Sequence, residues 1–104
     1  MFNEVTLVGR CGTDPEISST NTGVPVANLK LVTQAPNDPK PEWHSLAFFR
    51  GKAETIAKYA HKGKLMLIKG ELRHNSYTSS DGTHHRNAEI IVNHFRFLGQ
   101  ASEI

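Results

Sequence analysis

The stretch Glu42-Trp43-His44-Ser45-Leu46-Ala47-Phe48-Phe49, followed by KAETIAKYAHK at 52–62 and KLMLIKGEL at 64–72, decides the fold. Its periodicities read as strand, helix, strand. Alternation along the first segment sends Trp43, Ser45, Ala47 and Phe49 to one face and His44, Leu46 and Phe48 to the other. Both faces carry rings. A small domain buries one such face in its core; the second, which bears the chain's only Trp, needs another cover, either a partner subunit or a flat ligand.

Working outward, 52–62 places Ala53, Ile56, Ala57 and Ala60 at i, i+3, i+4 and i+7, with Gly63 where a helix C-cap stands. The strand after it puts Met66, Ile68 and Leu72 on one face and Lys69, Glu71, Arg73, Asn75 and Tyr77 on the other. Asp81-Gly82 is a two-residue hairpin signal leading into a last strand at 84–98. Counted outward from that turn, Tyr77 pairs with Arg86 and His74 with Glu89. Upstream, residues 2–10 alternate as a first strand broken by Gly9 and Gly12. The segments 16–19 and 24–33 flank an Asn21-Thr22-Gly23 turn as a hairpin. The Pro-rich 34–42 reads as an exposed loop. About five strands with one helix after the third suit a small closed barrel, an all-β fold; an open five-stranded α+β sheet is the alternative.

With 104 residues, the chain suits one domain with one core. We expect that domain to span 1–99, leaving a short end at 100–104. The net charge of +2 permits a polyanionic partner without arguing strongly for one. One cysteine, Cys11, excludes an intrachain disulfide and reads as a buried filler. No apolar run reaches membrane-spanning length, and the start shows neither signal-peptide nor transit-peptide character, so a cytoplasmic protein is expected.

Several stretches, in order, resemble the bacterial single-stranded DNA-binding protein family: Asn3 to Arg10, Asp14-Pro15-Glu16, Glu42-Trp43-His44, Ala53-Glu54, Tyr59 with Lys62-Gly63, Gly70-Glu71-Leu72-Arg73, Tyr77, Asp81-Gly82, Glu89-Ile90 and Phe97-Leu98-Gly99. The resemblance implies an OB-fold, a five-stranded Greek-key barrel with its helix between strands 3 and 4. It also implies a homotetramer that binds single-stranded DNA without sequence preference in replication, recombination and repair, in the bacterial cytoplasm at the nucleoid. By position, Trp43, Phe49 and Tyr77 match the family's stacking residues, Lys62 and Arg73 its basic residues, and His44 a position near subunit contacts. Lys69, Arg86 and Arg50 join the site from strand geometry and nearness to the rings. Three departures stand out. The 34–42 loop lacks an aromatic, Ser18 and Ser45 stand where members frequently have Arg, and the sequence stops after Gly99 without the acidic tail through which members recruit replication proteins, so no such recruitment is expected.

The residue types suit this chemistry. A binder indifferent to sequence uses the π-face common to all bases, worth about 1–3 kcal/mol per stack, together with a basic track for phosphates. Adjacent His84 and His85 point to opposite strand faces and cannot grip one ion together, so no metal and no cofactor is expected. The scattered carboxylates show no catalytic pairing, so no enzyme is expected. The rivals are a primosomal replication-restart accessory protein on the same fold and an OB-fold nuclease.

Overall fold

The computed structural model describes residues 1–99; residues 100–104, expected to form a short end, lie outside the described residues, as do the side chains of Asn75, Tyr77, His85 and Arg86. The elements run β1 (Val5–Cys11), β2 (Glu16–Ser19), β3 (Pro25–Thr33), β4 (Glu42–Phe49), α1 (Gly51–Tyr59), β5 (Leu65–Thr78) and β6 (His84–Phe97). β1 pairs with β5, β5 with β6, β6 with β4, and β4 with β3. β3 then returns to β1 at Arg10↔Val32 and Cys11↔Leu31. That last contact closes a five-stranded barrel, the OB-fold, and rules out the open sheet. Among the described residues only β4 and β6 run parallel.

Counted in chain order the helix follows the fourth strand, since 16–19 forms a strand of its own; within the closed ring, to which β2 does not belong, the helix lies between the third strand, β4, and the fourth, β5, as expected. The turn at 20–24, held by Gly23 N–H donating to Thr20 O at 2.9 Å with Gly23 at φ 86°, folds β2 back onto β3. β2 lies outside the ring and lengthens the β3–β4 wall.

The alternation of the opening stretch holds. Leu46 and Phe48 are fully buried with Leu29, Leu31, Met66, Ile68, Ile90 and Val92, while Trp43 is 56% exposed. Each such large side chain contributes about 1.5–3 kcal/mol by its burial. α1 adds Ala53 and Ile56 to this core. The helix is shorter than its periodicity predicts: Ala57 is exposed, and Ala60 is already extended at φ −84°, ψ 140°. Gly63 is not its cap. At φ 92° it sits in the next turn and donates its N–H to Cys11 O at 2.7 Å, so docking against β1 ends the helix before residue 62.

The β5–β6 arm departs from the two-residue count. Ser79 N–H donates to Thr83 O at 2.8 Å and Gly82 takes φ 87°, so Ser80, Asp81 and Gly82 form a three-residue loop with glycine in the left-handed position. Every pair in the arm shifts by one. Tyr77 is opposed by His85, Arg86 by Ser76, and His74 by Ala88. The expected register reappears only below a bulge at Lys69/Gly70, from Lys69↔His94 down to Met66↔Phe97. Leu72, expected on the face of Met66 and Ile68, lies beyond this bulge where the arm leaves the barrel, and it is 37% exposed. Cys11 is buried, its Sγ 3.5 Å from Met66 Sδ, and burial pushes the thiol pKa up.

Candidate nucleic-acid interface

The β3–β4 ladder fixes the rows of the barrel's outer wall. Trp43 stands opposite Val32, Ser45 opposite Lys30, Ala47 opposite Asn28, and Phe49 opposite Val26. β2 extends two rows, with Glu16 opposite Asn28 and Ser18 opposite Val26. Trp43 and Phe49 therefore share one strand face about 20 Å apart, at 3.2–3.4 Å per residue. Ala47 between them is buried despite its outward parity, since β3 and β6 flank it at Asn28 and Ile91.

Trp43 is held from below by an absence of side chain. A Cβ on Gly12 would come within 3.0 Å of ring carbon Cε3 and 2.7 Å of Val32 Cγ2. Gly12 lets the indole lie against the backbone leaving β1. Asp14, in the same loop, accepts the Lys62 backbone N–H at 2.8 Å, so the loop that backs Trp43 also holds the chain at Lys62. In the Ser45 row, Lys30 Nζ donates to Ser45 Oγ at 2.7 Å. Lys30 thus supplies a cation where the resemblance to the family pointed to a missing Arg.

Phe49 is half-buried, and Arg50 beside it is exposed. Arg50 N–H donates to Pro25 O at 2.9 Å, and its φ of 61° with ψ −128° is a backbone conformation suited to glycine. Arg73 is exposed on β5 and pairs with Glu71 at 3.3 Å, facing Glu89 across the ladder. A pair so exposed adds at most about 1 kcal/mol, leaving the guanidinium available to a stronger anion. Lys69 lies on a different wall, in the β1–β5–β6 sheet opposite Thr6 and His94, with Glu4 at 3.9 Å. The structure does not bring it together with Trp43 and Phe49. Tyr77 and Arg86 belong to the arm by their backbones, while their side chains lie outside the described residues. His44, half-buried at the barrel's end, shares a 2.8 Å hydrogen bond with Thr33 Oγ1.

Gly12 and Lys30 were not among the residues singled out from the sequence. Gly12 read only as a strand breaker, and Lys30 gains meaning only from the β3–β4 register. Among the described residues no group of three or more His, Cys, Asp or Glu is placed to hold a metal ion, and no helix is long and apolar enough to cross a membrane.

Residues 2–98 match the Single-strand binding protein family. Similar proteins include the single-stranded DNA-binding proteins of Xanthomonas campestris pv. campestris, 32% identical over 98% of this chain and 63% of the relative, and of Xanthomonas axonopodis pv. citri, 32% identical over 98% and 61%. That of Neisseria meningitidis serogroup B is 32% identical over 98% and 63%. The chain spans less than two thirds of the length of these relatives.

Proposed function

Because the chain belongs to the single-strand binding protein family, we propose that it binds single-stranded DNA without sequence selection and protects it during replication, recombination and repair. The observation that carries this reading is the pair of rings, Trp43 and Phe49, on one outer strand face bordered by Lys30 and Arg50, with the chain at Lys62 held by the loop that backs Trp43. Bases stack on the rings and phosphates follow the cations; Arg73, and Tyr77 and Arg86 on the arm, extend the track. Lys69 serves a strand that wraps onto the second wall. The function is binding, not catalysis, and it is exercised in the cytoplasm at the nucleoid.

The protein works as a homotetramer in this reading. Residues 5–9 of β1 pair with β5 on one side only, since β3 meets β1 just at Arg10 and Cys11. An edge of that kind invites a second copy, and His44 lies near such a contact.

The test is a titration with oligo(dT) of graded length, followed by Trp43 emission and light scattering together. Quenching that recovers with salt, at a slope of roughly −0.7 per neutralised phosphate, and a mass of four chains are expected. Unchanged emission at saturating oligonucleotide removes Trp43 as a platform. Loss of a labelled oligonucleotide with Mg²⁺ overturns the non-catalytic reading.

A further inference from the structure

Between Trp43 and Phe49 the outer wall is not flat. Thr13, Glu16, Asn28, Lys30, Ser45 and Glu89 surround a recess of about 270 Å³. Its chemistry is divided. On one side Lys30 is fixed at both ends, its N–H donating to Thr13 Oγ1 at 3.2 Å and its Nζ to Ser45 Oγ at 2.7 Å. Carboxylates enter from the other elements, Glu16 from β2 opposite Asn28 and half-buried Glu89 from β6.

The exposed Glu16 carboxylate in the middle of a surface that holds a polyanion repels phosphate from that spot. What it accepts is an N–H donor, and on a nucleic acid strand such donors lie on base edges. A base lying along the strand between those stacked on the two rings is placed to turn its edge toward the recess. Cytosine matches the lining: its N4 amino group donates to a carboxylate, while N3 and O2 accept from the Lys30 ammonium and the Asn28 amide. Thymine places the O4 carbonyl where cytosine has the amino group, against the carboxylate.

We propose that this recess is a base-edge subsite that favours cytosine over thymine at one position of the bound strand. The inference rests on the DNA-binding reading above and adds a bias to it; stacking still holds every base.

The experiment compares oligo(dC) and oligo(dT) of equal length at one salt concentration, by competition against a labelled mixed-sequence strand, for the wild type, Glu16→Gln and Glu54→Gln. Glu16 is exposed on the outermost strand, so its replacement leaves the barrel intact; Glu54, exposed on α1, is the control for charge alone. Glu16→Gln is expected to shift the affinity ratio toward dT by about fivefold, near the lower limit for one base-edge contact, because the amide offers thymine O4 a donor. Glu54→Gln is expected to leave the ratio unchanged. An equal gain for both oligonucleotides with Glu16→Gln means that the carboxylate merely repels the backbone, and it overturns the subsite; an unchanged ratio does the same. If the wild type binds neither strand, it is the DNA-binding reading that fails.

Discussion

Trp43 owes its position to a residue 31 places earlier in the chain. Gly12→Ala forces a methyl group between the indole and Val32 in a space too small for it, and we expect a loss of about 1–3 kcal/mol in urea unfolding. A displaced ring should also shift the emission of this single Trp, which a mutation acting only through backbone entropy leaves in place. Trp43→Ala tests the platform itself. Removing one stack should weaken oligo(dT), oligo(dC) and oligo(dA) by similar factors, about 5- to 150-fold for 1–3 kcal/mol; loss confined to one base would point to specific readout at that position. Arg50 separates stability from binding. Its φ of 61° stores strain on the order of 1–3 kcal/mol, so Arg50→Gly is expected to raise stability by up to about 1 kcal/mol after the entropy of glycine is subtracted. If the guanidinium touches phosphate, the same variant lowers the salt slope by roughly 0.7. None of this strain can be read from the sequence, because an Arg before a Gly at a helix start looks ordinary.

The elements divide by how local their signals are. β4 was legible except at Ala47: the parity of Leu46 and Phe48 against Trp43 and Phe49 is a property of eight consecutive residues, whereas the burial of Ala47 depends on its neighbours on β3 and β6. The helix was legible in type but not in length, since hydrogen bonds from Lys62 and Gly63 to Asp14 and Cys11, about fifty residues away, draw the chain out of the helix. The β5–β6 arm was misread by one position. Asp-Gly fits a two-residue loop and also a three-residue loop with glycine last, and Ser79 decides between them by pairing with Thr83. The loop has its own titration. Ser79 Oγ–H and Thr83 N–H both donate to Asp81, the latter at 2.9 Å, and these bonds lower its pKa from 3.8 to about 2. A carboxyl whose folded pKa lies below its unfolded value stabilises the fold above the unfolded pKa and ceases to do so as pH falls through the folded one. The arm's tip should therefore keep its structure near pH 4 and loosen toward pH 2, seen as faster hydrogen exchange at Thr83 and abolished in Asp81→Asn. An unperturbed Asp81 titration by NMR would count against the loop geometry.

At the scale of the molecule, the closing contact of the barrel is narrow, as is the parallel contact of β4 with β6, which also rests on two residue pairs. β5 and β6 zip along their full length, whereas β1 and β3 meet through two residue pairs, Arg10↔Val32 and Cys11↔Leu31. The arm carries the longest dimension to 50 Å and the radius of gyration to 14.9 Å, above the roughly 13 Å of a compact chain of this length. Order and type of elements could be inferred from the sequence pattern, and closure was implied by the family resemblance; the pattern alone left the open sheet as an alternative, since closure depends on which distant edges meet. Cys11 sits in that seam, shielded from solvent and with its thiolate disfavoured by burial. Its sulfur is therefore a clock for the barrel. In a thiol-labelling experiment with Ellman's reagent, the native protein should react far more slowly than the urea-unfolded chain, and the ratio of the two rates gives the fraction of time the seam stands open. DNA that spans Trp43 and the loop through Gly12, one residue from that sulfur, should slow the clock further, so one chemical rate reports both how often the ring opens and whether cargo holds it shut.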